Sequence, residues 1–139
     1  MAGRDTVVRD QDNVKSVQNI FAAFGRGDIP AVLSALTADV EWTVSGPQAV
    51  AFSGTRRGRD QVMQFFVTLG QTVEIQAFEP REFIAQGDAV VVIGMERLRF
   101  QATGRVGENH WVMVFTFQDG QVVRFREYDD TYVLAAAAG

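Results

Sequence analysis

Two alternating runs, Asn109 to Gln118 and Gln121 to Asp130, flank Asp119-Gly120 and constrain this chain more than any other feature. Strand-length runs joined by so short a turn predict an antiparallel hairpin. Successive side chains along a strand point to opposite faces, so the pairing register decides which residues share a surface. Two registers compete. With Asp119-Gly120 as a two-residue loop, Phe117 pairs with Val122, and Trp111, Met113, Phe115 and Phe117 share a face with Arg124, Arg126 and Tyr128. With Gln118-Asp119-Gly120 as a three-residue loop and Gly120 left-handed, Phe117 pairs with Gln121, and the same four residues share a face with Val123, Phe125, Glu127 and Asp129. The second separates apolar from charged side chains more cleanly, setting Trp111 opposite Glu127 and Met113 opposite Phe125. Its apolar wall ends in carboxylates. A carboxyl on such a wall has its pKa raised toward neutrality, which suits proton transfer, whereas one on an open rim is hydrated and only keeps the edge soluble.

The rest of the chain divides into helices and then strands. Val17, Ile20, Phe21 and Phe24 recur at helical spacing behind the caps Asp12 and Asn13, which predicts a helix over 13–26. Asp28 caps a short second helix with Pro30 in its first turn and a stripe of Val32, Leu33 and Leu36. Val40 to Val44 alternates as a strand, and Val62, Phe65, Phe66 and Leu69 mark a third helix over 59–69. Val73 to Ile84, interrupted by Pro80, reads as one broken or edge strand, and Ala89 to Gln101 as a long one. Helices segregated from an antiparallel meander predict an α+β domain over 13–133, between a frayed segment at 1–12 and a tail at 134–139.

Composition narrows the chemistry. At 139 residues one domain and one core are expected. The absence of cysteine excludes disulfides, thiolate zinc sites and a thiol nucleophile, and a single histidine, His110, excludes mechanisms that need two. No metal and no cofactor enter this reading. Seventeen acidic against thirteen basic residues argue against phosphate-backbone binding, and the one dense basic group, Arg56-Arg57-Gly58-Arg59, reads as a solvated turn. No apolar run reaches the length of a membrane helix and no secretory signal precedes the domain, so a cytoplasmic location with neither membrane nor nucleic-acid partner is expected. No phosphate loop, dinucleotide fingerprint or serine elbow is present. Glu96 stands mid-strand, where a charge either lines a cavity or pairs with a neighbouring arginine. His110 points away from Glu127 in the favoured register.

Taken together, Ala22-Ala23-Phe24-Gly25-Arg26-Gly27-Asp28, Leu36-Thr37-Ala38-Asp39-Val40-Glu41-Trp42, Gly54-Thr55-Arg56-Arg57-Gly58-Arg59-Asp60 with Phe65-Phe66, and Val114 through Thr131 resemble the SnoaL-like proteins, relatives of ketosteroid isomerases and nuclear transport factor 2. The resemblance spans about residues 13–133. It implies a cone-shaped α+β barrel, three N-terminal helices packed in a strongly curved, mostly antiparallel sheet around a deep apolar pocket, and a homodimer through the outer sheet face. Ketosteroid isomerases use a carboxylate base and an oxyanion hole of a tyrosine and a protonated aspartate. Those positions fall here on Val44, Ile20 and Met113, all apolar, so that triad is not expected. The polyketide cyclases carry an acid on the last strand, which falls at Glu127, but their partner histidine falls near Met113. The Asp-Arg-Asp constellation of limonene-epoxide hydrolases is opposed by Arg126, which should face outward from Glu127.

The expectation is then a small apolar or aromatic molecule held by Trp42, Val44, Trp111, Met113, Phe115 and Phe125, with Glu127 as proton acceptor and Asp129 or Glu96 tuning it. The reaction would be isomerisation or aldol-type cyclisation without a cofactor. A non-catalytic binding or dimerisation module of the same fold is the alternative.

Overall fold

The computed structural model describes residues 2–139, with side chains from residue 9 onward. In chain order the elements are α1 (Ala2–Gly25), α2 (Ile29–Ser34), β1 (Leu36–Val44), β2 (Gly54–Arg57), α3 (Gly58–Thr72), β3 (Val73–Gln86), β4 (Ala89–Phe100), β5 (Val106–Gln118), β6 (Gln121–Tyr128) and α4 (Thr131–Ala138). The six strands form one sheet in the order β2-β1-β6-β5-β4-β3. Every pairing is antiparallel except β1 with β6. The α+β class stands, but the sheet does not close: β2 and β3 remain free edges, so it is not a complete barrel. Nor are the helices three and N-terminal, because α3 follows two strands and a fourth helix ends the chain.

Local signals explain most elements. The α1 stripe of Val17, Ile20 and Ala23 is buried. Asp28 accepts a hydrogen bond from the Ala31 N–H at 3.2 Å and caps α2. Leu36, grouped with α2 by its spacing, instead opens β1 and pairs with Val122. Pro80 lies on the free edge β3, where its missing N–H costs no ladder bond, between bulges that follow Ile75 and Pro80.

The stretch expected to be a tail is ordered onto the sheet. Asp130 caps α4 by accepting from the Val133 N–H at 3.2 Å, and Leu134 and Ala137 are buried. At the helix's other end the Thr103 hydroxyl donates to Ala137 O at 2.7 Å and the Arg105 guanidinium to Ala136 O at 3.0 Å. A Cβ at Gly107 would stand 2.8 Å from Val133 Cγ1, so the missing side chain there is what lets α4 lie on β5. The other end of the chain also differs: α1 begins at Ala2, well before the predicted start near residue 13.

The decisive hairpin combines features of both expected registers. Asp119 and Gly120 both have positive φ, 53° and 81°, as a two-residue type I′ turn requires, and Phe117 pairs with Val122. A bulge between Thr116 and Phe117 on this ladder then takes up one extra residue of β6, after which Phe115 faces Phe125 and Met113 faces Glu127. The three-residue loop is thus absent, and Val122 rather than Val123 is fully buried near the turn. Beyond the bulge, the parity nevertheless puts Phe125 and Glu127 on the inner face.

Candidate functional site

Along β5 the inward side chains alternate without interruption: Asn109, Trp111, Met113, Phe115 and Phe117 are buried. On β4, Glu96 stands directly opposite Asn109, and Gly94 opposite Trp111. A Cβ at Gly94 would approach the Trp111 ring to 2.5 Å, so glycine is what lets the indole lie across that strand. Trp111 stacks on Phe78 at 5.3 Å between ring centroids. The bulge in β6 directs Glu127 inward, and Asp129 follows it just past the strand end, its N–H donating to Ser45 Oγ at 3.2 Å.

Glu96, Glu127 and Asp129 converge, with carboxylate oxygens within 4.8 Å of one another. Asn109, wholly buried, organises them. Its Nδ2 donates to Glu96 Oε2 and to Asp129 Oδ1, both at 2.8 Å, and its Oδ1 accepts from the Asp130 N–H at 2.8 Å. Three carboxylates this close cannot all be ionised in an apolar surrounding, so protons remain bound. Burial raises the Glu96 pKa to about 7, against the lowering effect of the Asn109 bond and with a smaller upward push from Asp129. Glu127 is raised well above the usual carboxylate range, first by burial and then by the neighbouring Asp129 carboxylate, with a smaller push from Glu96. Asp129 is raised by burial, while the neighbouring Glu127 carboxyl and the hydrogen bond from Asn109 oppose the shift. These directions favour a retained proton on Glu127 and leave Glu96 titrating near neutrality.

The two glutamates face a cavity of about 60 Å³ that is otherwise apolar. Trp42, Met113, Phe115 and Phe125 are on its wall; Val44 and Trp111 are buried but off it. The wall also takes Phe21 and Phe24 from α1, Phe65 and Phe66 from α3, and Phe78 from β3. Helical spacing marked the first four as core but could not say which of them meet β4 and β6 around a hollow. Asn109, the first residue of the alternating run that ends at Gln118, was missed as a site residue although its alternation with Trp111 and Met113 places it inward, because candidates stand out as titratable or apolar side chains and a neutral amide is neither.

Other candidates lie elsewhere. His110 is exposed, on the face opposite Asn109 and Trp111. The basic group is engaged internally: Arg56 donates to Phe52 O at 2.7 Å, Arg57 pairs with Glu41 at 2.7 Å, and Arg59 donates to Leu36 O. Among the described residues no helix is long and apolar enough to cross a membrane.

With this geometry in view, the relatives fall into place. The SnoaL-like domain profile matches residues 17–125. An NTF2-like protein of Burkholderia xenovorans is 38% identical, covering 94% of this chain and 98% of its own, with a TM-score of 0.84. TerC, crystallised together with polyporic acid, is 27% identical over 91% of this chain and 97% of its own, with a TM-score of 0.82. An uncharacterised protein of Mycobacterium tuberculosis is 28% identical over 119 residues, 86% of this chain and 89% of its own. By sequence profile, strand order and fold, the chain belongs to the SnoaL-like family within the NTF2-like superfamily.

Proposed function

We propose that the chain binds a small apolar or aromatic carbonyl compound in this cavity and moves a proton beside the carbonyl, as in isomerisation or intramolecular aldol cyclisation. The observation that carries this reading is that the two carboxyl groups on an otherwise apolar wall are both buried, Glu96 and Glu127 each being 8% exposed. An acid and a base held side by side with separated proton affinities are the working parts of cofactor-free proton transfer. Glu127, holding its proton, protonates or hydrogen-bonds the carbonyl oxygen. Glu96, half ionised near neutrality, takes the proton from the adjacent carbon. The acceptor role expected for Glu127 thereby passes to Glu96, and the charge of Asp129 favours the protonated form of Glu127, leaving its O–H free for the ligand. TerC supports the ligand class through its co-crystallisation with polyporic acid.

An apolar cavity of about 150 Å³ accepts benzene, so at about 60 Å³ this one must widen before it takes a ring. Phe21, Phe24, Ile75 and Phe78 line both this cavity and a surface groove of about 560 Å³, so displacing these side chains would join the two and supply that space. Proton exchange tests the chemistry. The protein should accelerate exchange of the acetophenone methyl protons with D2O, followed by NMR, and Glu96→Gln should slow the catalysed rate by about 10²-fold or more, the usual worth of a positioned base. Equal rates for the native protein and Glu96→Gln would remove the catalytic assignment.

The outer face of the sheet supports the second partner. Ile93 and Tyr128 are exposed there at 37% and 48%, next to the half-buried Val112 and Val114. A second copy of the chain covering this strip would form a homodimer. Sedimentation equilibrium should then give twice the 15.3 kDa chain mass, and Ile93→Glu should give the monomer; a native monomer at tens of micromolar would rule the dimer out.

A further inference from the structure

We infer that Trp42 Nε1–H is a specificity-determining donor that bonds an oxygen atom of the ligand, so that the cavity selects oxygen-bearing compounds over hydrocarbons of the same shape. This rests on the binding half of the function proposed above and not on its catalytic half. Trp42 is 4% exposed, and its Nε1 is buried with no acceptor among the described residues. An indole N–H is a donor only and ordinarily finds a partner when buried; left alone it costs about 1–3 kcal/mol. The indole cannot easily turn away from this position. One face stacks on Phe125 at 3.8 Å between centroids, with the planes 19° apart, and the rings of Phe65 and Phe66 pack at 5.6 and 5.7 Å. Its strand is held on both sides, Trp42 pairing with Arg56 of β2 and with Phe125 of β6.

These ring neighbours are hydrocarbon, and Trp42 is itself part of the cavity wall, so the cavity is the place from which an acceptor can come. The polar complement of the wall points to the same ligand chemistry. Glu127 holds a proton and is therefore a second donor, leaving Glu96 as the one group that takes a proton. A ligand that satisfies this set has an apolar body with acceptor oxygens, such as a ketone, quinone or ether, and lacks a hydroxyl or amine directed at Trp42. Trp111 provides an internal comparison: its Nε1 is likewise buried without a partner, but it lies off the cavity wall.

Acetophenone and α-methylstyrene test this, being nearly the same shape with C=O replaced by C=CH2. Calorimetric titration should show acetophenone binding the native protein about 5- to 10-fold more tightly, a difference of about 1–1.4 kcal/mol for one neutral hydrogen bond. Trp42→Phe keeps a ring on Phe125 and removes the N–H, so it should abolish that preference, bringing the ratio of the two affinities to about one however far the enlarged cavity shifts both. In 15N-edited spectra the Trp42 indole proton, assigned by its loss in Trp42→Phe, should move downfield with acetophenone while that of Trp111 stays. If both compounds bind and Trp42→Phe leaves the preference intact, or the Trp42 proton does not move, the donor assignment is overturned and the N–H is held by the face of a neighbouring phenylalanine. If neither compound binds, the pocket reading itself fails and the donor role falls with it.

Discussion

Raising the pH from 4.5 to 7 is expected to cost the fold about 3 kcal/mol through Glu96 alone. In the unfolded chain this carboxyl ionises at its ordinary value of 4.5, whereas in the folded protein it holds its proton until about pH 7. Across that window the folded state binds one more proton than the unfolded state, so unfolding free energy falls by about 1.36 kcal/mol per pH unit. The contribution is complete below pH 4.5 and gone above pH 7. Glu127 and Asp129 are displaced in the same direction, so their contributions add to the slope. Urea denaturation at pH 5, 6, 7 and 8 measures the effect directly, with aggregation near the isoelectric point of about 4.9 setting the lower limit. Glu96→Gln, which keeps the shape and removes the titration, should flatten the curve by about 3 kcal/mol between its ends. A native protein whose stability rises from pH 5 to 8 would show that the three acids are hydrated and independent.

The physical origin of this slope was partly legible in the sequence. Glu127 on an apolar wall followed from the alternation of the last two strands, whereas Glu96, a charge standing mid-strand between Met95 and Arg97, fits both lining a cavity and pairing with an arginine. Yet the face was reached through a three-residue loop that does not exist. Parity alone carried the inference: the bulge in β6 moves the pairing one residue in the direction opposite to the imagined loop, so Glu127 faces Met113 rather than Trp111, and Phe125 faces Phe115 rather than Met113, yet both stay on the same side of the sheet. A bulge is set by local twist and by what packs beneath it, neither of which alternation encodes. The same limit explains Trp111 and Val44, which face inward as expected but lie away from the cavity. Strand period fixes a face, whereas membership of a cavity wall depends on sheet curvature and on which helical rings fill the middle. The α4 helix was hidden for a different reason. Its alanine run has no polar side to define a stripe, and its docking site is a glycine on another strand. Its cap, Asp130, was visible all along and was read as the end of a hairpin.

Asn109→Asp should be among the most damaging single-atom-scale changes available to this protein, costing about 3–5 kcal/mol at pH 8, the range for an uncompensated buried charge. The substitution preserves size and shape, so packing does not enter. What changes is the direction of two hydrogen bonds. The amide nitrogen that donates to Glu96 and Asp129 at 2.8 Å becomes an oxygen facing two oxygens, and a fourth acid joins a cluster that already retains protons. Lowering the pH to 5 should restore part of the loss, since a protonated carboxyl can donate one of the two bonds but never both. Comparing urea midpoints of the variant and the native protein at both pH values gives the test, and equal stability at pH 8 would show that Asn109 does not hold the acids apart. Hydrogen exchange adds a second, spatially resolved readout. The same amide accepts the Asp130 N–H at 2.8 Å, and Asp130 in turn caps α4 through Val133. That acceptor is retained in the aspartate, so α4 should keep its protection while β4 and β5 around Glu96 lose theirs. Asn109→Ala removes the acceptor as well and should loosen both. The contrast separates the two jobs of one side chain: its nitrogen sets the protonation of the site, and its oxygen ties the final helix to the sheet that carries it.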